Sequence, residues 1–137
     1  MRSGIDCRGC QSMSAGAIVI TDLLKNNNIV FETEYVFNDL LYDAGYHLRF
    51  DFAILDNHGE IKRLIEYDGK QHFQPIGIFG GQEYFDKLQY HDVLKNQYAI
   101  SHNIPLVRIP YYEINNITLN DLLNNKYLIK GDHNYGN

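Results

Sequence analysis

Two apolar stretches that each carry an acid, Phe50 to Leu55 around Asp51 and Leu64 to Tyr67 around Glu66, flank the turn-forming run Asp56-Asn57-His58-Gly59-Glu60. Runs of this composition predict strands, and the linker predicts an antiparallel hairpin. Almost every neighbour of either acid is apolar, so both strands are expected to be buried. A buried carboxylate is costly unless it is paired or bound to a cation. Side chains alternate faces along a strand, so Glu66 and Asp68 share one side of theirs, and pairing about Asn57 to His58 brings Asp51 within reach of Glu66. Three carboxylates are therefore expected at one end of the hairpin. Hard oxygen ligands with room for water and phosphate suit Mg²⁺, with Mn²⁺ as a substitute, better than Zn²⁺.

The rest of the chain sets the frame. With 137 residues, 45% of them apolar, one domain with a sizeable core is expected. Residues 13–130 are expected to form that domain, 1–12 an N-terminal segment and 131–137 a polar, flexible tail. No run of roughly 18 apolar residues occurs and no signal-peptide core follows Met1, so no membrane role and an intracellular, cytoplasmic location are expected. The net charge of -5 argues against nucleic-acid binding by bulk electrostatics, but clustered metal-binding acids contribute to that total, and a bound ion reverses the local sign. Basic surface must then be local, with Lys62, Arg63, Lys70, Lys87, Lys95 and Arg108 as candidates beside the ordinary reading of scattered solubilising charges. Cys7 and Cys10 form a C-x-x-C pair, half of a tetrahedral zinc site, or two plain thiols.

Ser14 predicts a cap for a helix over Ala17 to Lys25, ended by Asn26-Asn27-Asn28. Ile29 to Tyr35 predicts a first strand, with Glu32 and Glu34 on a face that also fits a solvated edge. Asn38 to Tyr46 is expected as a loop, and Gln74 to Gly81 as a second one that either clamps a substrate or merely connects. Gln82 to His102 predicts the longest helix, with Phe85, Leu88, Val93, Leu94, Tyr98 and Ile100 as its apolar set. A short strand at Leu106 to Ile109 and a small helix from Leu119 to Asn124, capped by Thr118, complete the order αβββαβα. This is an α/β or α+β core with a mixed sheet of about four strands flanked by helices.

Phe50-Asp51-Phe52, then Glu66-Tyr67-Asp68-Gly69-Lys70-Gln71-His72-Phe73, then Asp92 and Lys95, then Leu106-Val107-Arg108-Ile109, resemble the PD-(D/E)XK nuclease superfamily with its restriction-endonuclease-like core. The D-G-x-Q-H-F string after an acidic strand is the specific element, and it is similar to the very-short-patch-repair-like and phage homing-type endonuclease branch. The resemblance implies a Mg²⁺-dependent DNA endonuclease, phage-encoded or otherwise intracellular, that hydrolyses phosphodiester bonds. It makes Asp51, Glu66 and Asp68 the metal-binding acids and His72 a base or leaving-group acid near the phosphate. Asp68-Gly69-Lys70 also satisfies D-x-K, which makes Lys70 an alternative charge-stabilising residue. Lys70, Gln71, Lys95 and Arg108 are the nucleic-acid-binding candidates, and a homodimer would add sequence specificity.

Two departures accompany the resemblance. Related first helices open with a serine, a small residue, glycine and glutamate, whereas Ser14-Ala15-Gly16-Ala17 puts Ala17 at the expected ligand position, as an engineered or natural change. Cys7 and Cys10 would be the remnant of a zinc-binding segment. The reading from a different class is a nuclease-fold module that binds nucleic acid or protein without cutting, with Ala17 as its mark.

Overall fold

The computed structural model describes residues 14–43, 45–77 and 80–130. Cys7, Cys10 and the tail from residue 131 lie outside the described residues. Helix α1 (Ala15–Asn26) opens on Ser14, whose side chain accepts the backbone N–H of Ala17 at 3.1 Å. Its end is set by Asn28 in the left-handed region, φ 57°, which asparagine tolerates better than most residues. Strands β1 (Phe31–Tyr42), β2 (Tyr46–Leu55) and β3 (Ile61–Asp68) follow, then a 3₁₀ turn at Lys70–His72 and helix α2 (Gly81–Ser101). Strand β4 (Leu106–Pro110), a second 3₁₀ turn at Tyr111–Glu113 and helix α3 (Leu119–Leu123) complete the described chain.

The sheet has the order β1-β2-β3-β4, antiparallel between the first three strands and parallel between β3 and β4. The parallel pair needs a crossover, which α2 supplies. An α+β mixed four-stranded sheet with helices is therefore the architecture, as expected from the order of the segments. One expectation fails: Asn38 to Tyr42 is strand rather than loop. Leu41 pairs with His47 and Tyr42 with Tyr46 across a tight reversal that includes Gly45 at φ 81°, while Leu40 is buried. Pairing and one buried leucine override the polar look of Asn38 and Asp39. The β2–β3 turn is tied by Asp56, whose carboxylate accepts the N–H groups of His58 and Glu60 at 2.8 and 2.9 Å.

Alternation along β3 and β4 divides their apolar residues between two faces, whereas on β2 Leu48 and Phe50 share the spacing of Phe52 and Ile54 yet pack in the other cluster. Phe52, Ile54, Ile65, Val107 and Ile109 pack with Ile20 and Leu24 of α1 and Leu122 of α3. Ala53, Leu64 and Leu106 pack with Ala99 of α2, joined by Leu40, Leu48 and Phe50. Glu66 and Asp68 share the alternation of Leu64, and Arg108 that of Leu106, so these charges lie on the α2 face. That face explains a second difference from expectation. The buried stripe of α2 is Asp92, Asn96 and Ala99, at steps of four and three residues, rather than an apolar set.

The start of α1 rests directly on β3. A Cβ built on Gly16 would lie 2.3 to 2.7 Å from ring atoms of Tyr67. Ordinarily, alanine in place of a helical glycine stabilises by about 1 kcal/mol. Here Gly16→Ala is expected to destabilise by roughly 1–3 kcal/mol through overpacking, measured by urea unfolding. The same change on a Tyr67→Ala background should revert to neutral or stabilising; an equal loss in both backgrounds would refute the contact as the cause.

Candidate active site

Continuing the β2–β3 register past Phe52 opposite Ile65 places Asp51 opposite Glu66. At this point side chains take over from the ladder. The Asp51 N–H donates to Glu66 Oε2 at 2.8 Å, and the Tyr67 N–H donates to Asp51 Oδ2 at 2.8 Å. Each carboxylate thus accepts a backbone N–H from the opposite strand. Lys95, one turn of α2 beyond Asp92, reaches Glu66 Oε1 at 3.2 Å, and its ammonium lies 5.7 Å from the centre of the Phe50 ring.

Two residues further along β3, Asp68 begins a second group. Arg108 stands beside Glu66 in the parallel register and donates to Asp68 at 2.7 Å and, through Nε, to Asn96 at 2.9 Å. Its guanidinium also lies 3.4 Å from Asp92 and 3.9 Å from Glu66. His72 Nδ1 is 2.9 Å from Asp92 and 3.7 Å from Asp68. The result is one line of charge across the α2 face, with four carboxylates (Asp51, Glu66, Asp68, Asp92), two permanent cations (Lys95, Arg108) and titratable His72.

Protonation follows from this placement. Burial pushes the Asp51 carboxyl up to about 8, helped by the neighbouring Glu66 charge and opposed by the Tyr67 N–H and Lys95. Glu34 on β1 adds a smaller upward push. That residue takes φ 53°, between Thr33 opposite Phe52 and Tyr35 opposite Phe50. Asp68 is also raised by burial, against the lowering effect of Arg108 and His72. For His72, burial favours the neutral ring, but the Asp92 hydrogen bond and the charges of Asp92 and Asp68 outweigh it and raise its pKa. Asp92 is lowered despite its burial, because His72 and Arg108 stabilise its anion.

The expected acids therefore divide. Asp51 and Glu66 form a pair, while Asp68 sits with His72 and Asp92 in the group whose donor atoms all lie within 4.8 Å of one another. That group has the donors to hold a metal ion, but Arg108 already lies against both of its carboxylates. Among the described residues no Lys, Arg or His comes within 4.0 Å of the Asp51 carboxylate, so the Asp51–Glu66 pair is the less neutralised end of the line. Lys70 is exposed on the 3₁₀ turn and Gln71 half-buried against Gly69. Arg108 is buried among acids, so its charge is engaged within the protein rather than offered at the surface. Ala17 packs with the apolar cluster under α1, on the face opposite Glu66 and Asp68.

Asp92 and Asn96 are site residues that the sequence reading did not assign. Their signal was present: two polar residues four apart, in line with Ala99, mark a helix stripe whose burial is ionic. Comparisons with known proteins identify no relative: no protein-family model, no curated protein and no solved structure matches the chain.

Proposed function

We propose that the chain is a divalent-metal-dependent phosphodiesterase acting on DNA, of the PD-(D/E)XK kind that its motifs resemble. The observation that carries this reading is the reciprocal bracing of Asp51 and Glu66. Two carboxylates held back-to-strand, one of them raised to about 8 by burial and by the charge of the other, form a pair that a divalent ion would neutralise.

In this reading Asp51 and Glu66 hold the ion, with Lys95 fixing Glu66. Bound there, Mg²⁺ would polarise the phosphate and lower the pKa of an attacking water. His72 has Nδ1 engaged by Asp92, which fixes the ring and leaves Nε2 as the nitrogen for proton exchange with a leaving oxygen. Arg108 favours the ionised forms of Asp68 and Asp92 around that histidine and so acts as a positioning residue.

The test is supercoiled plasmid incubated with the protein and Mg²⁺. Nicked or linear product is expected, and EDTA should remove it. Intact plasmid under both conditions would favour the second reading, a non-cleaving nucleic-acid or protein binder on the same fold. Ala17, the mark expected for that reading, packs in the apolar cluster on the other side of the sheet and so does not stand as a ligand lost from the Asp51–Glu66 pair.

A further inference from the structure

Phe50 stands where strand alternation alone would not put it. Phe52 and Ile54 pack in the cluster under α1, and a residue two positions back on a regular strand faces the same way, yet Phe50 packs in the α2 cluster. Strand β1 changes sides at the same level. Phe31 lies against the α1 cluster, whereas Tyr35 and Phe37 lie against the other. Both changes fall between the pair Thr33 opposite Phe52 and the pair Tyr35 opposite Phe50, and the residues between those pairs are Glu34, at φ 53°, and Asp51. A left-handed glutamate within a strand is uncommon. The β1–β2 ribbon thus rolls over at Asp51, and the roll carries the Phe50 ring across to Lys95.

The Lys95 ammonium donates to Glu66 at 3.2 Å and stands over the Phe50 ring, 5.7 Å from its centre, with 13% of the lysine side chain exposed. Phe50 itself is fully buried. Phe37 braces it edge-on, with ring centres 5.7 Å apart and planes at 86°, so the ring face is fixed rather than free to follow the ammonium. An ammonium over an aromatic face is held more firmly where water is excluded. Asp51, the next residue along β2, keeps a carboxylate with no Lys, Arg or His within 4.0 Å among the described residues.

We propose that Phe50 is a positioning residue for the metal-binding pair: its ring holds the Lys95 ammonium beside Glu66 and away from Asp51, so that one carboxylate of the two stays open to a divalent ion. The inference rests on the nuclease reading, in which Asp51 and Glu66 are the ligands. An ammonium set midway between the acids would compete with the ion for both. Held to one side, it offsets the charge of Glu66 alone.

The test replaces Phe50 with mono-, di- and trifluorinated phenylalanine by amber suppression and titrates each protein with Mn²⁺, followed by electron paramagnetic resonance. Fluorine withdraws charge from the ring face and changes its shape little, so packing is kept while the attraction for Lys95 is lost stepwise. Mn²⁺ affinity should fall with each fluorine, to about two- to thirtyfold weaker for the trifluorinated ring. On a Lys95→Gln background the same series should leave affinity unmoved, which a packing role for Phe50 would not do. Equal affinity across the series, or an equal fall in Lys95→Gln, would overturn the proposal, while Mn²⁺ binding lost in Asp51→Asn together with plasmid cleavage left the nuclease reading standing. Absence of Mn²⁺ binding by the wild type, or binding that persists unchanged in Asp51→Asn, would overturn both.

Discussion

Asp51→Asn is expected to abolish Mg²⁺-dependent plasmid nicking, by roughly a hundredfold to a thousandfold or more, and to make the folded protein less sensitive to alkaline pH. The first effect follows from removing one of the two charges that would hold the ion. The second follows from linkage. Asp51 ionises near 3.8 in the unfolded chain and at about 8 in the fold, so between those values the folded state holds a proton that the unfolded state has released. Wild-type stability therefore falls as pH rises through that window. His72 adds slope of the same sign, since its raised pKa gives stability that is full below 6.5 and lost as pH rises through the folded value. Asparagine removes the first contribution and leaves the second.

Thermal melts from mildly acidic to mildly alkaline pH should thus show a shallower decline in Asp51→Asn than in the wild type. At the alkaline end Mg²⁺ should raise the wild-type Tm by mass action and leave the variant unmoved. Parallel pH profiles for the two proteins would show that Asp51 is not the group under strain. Asparagine is the informative replacement because its side-chain oxygen can still accept the Tyr67 N–H. Alanine would remove charge and hydrogen bond together.

Arg108→Met carries the largest expected loss of stability. The guanidinium is buried, bonded to Asp68 and Asn96 and close to Asp92 and Glu66. Removing it leaves three buried carboxylates with Lys95 and His72 alone to balance them. Breaking a buried pair from one side destabilises by about 3–5 kcal/mol, and urea unfolding should show a loss of that order. Arg108→Lys keeps the charge but not the fork that reaches Asn96 and two acids together, so it should recover only part. Asp68→Asn on the Arg108→Met background should also recover part, as one uncompensated charge is removed. A loss below about 1 kcal/mol in Arg108→Met would mean that the acids are neutralised by protonation instead, and the charged line would have to be redrawn.

Much of this arrangement is legible in the sequence. The hairpin, the convergence of Asp51 with Glu66, the crossover helix and the short β4 follow from turn residues, alternation and apolar periodicity. Ionic burial was harder to read. Asp92 and Asn96 look like surface positions on a helix, because propensity rules assume that what faces a sheet is apolar. Arg108 looked like a nucleic-acid contact for the same reason, although its apolar neighbours Leu106, Val107 and Ile109 already marked a buried strand. Asn38 to Tyr42 does not announce itself as strand, because a strand held by backbone pairing needs little hydrophobic signal of its own. The alternation that puts Glu66 and Asp68 on one face was correct, but it is silent on which cations come from α2 and β4 to divide them.

The carboxylates of Asp51 and Glu66 also stitch the two strands together where the ladder ends, each accepting a backbone N–H from the opposite strand. Strand spacing and ligand spacing are therefore a single coordinate at that end of the hairpin. Any motion that draws β2 away from β3 must pull the two acids apart, and anything that clamps the acids must clasp the strands. The rigidity of the sheet at that end and the spacing of the two candidate ligands therefore depend on the same pair of side chains.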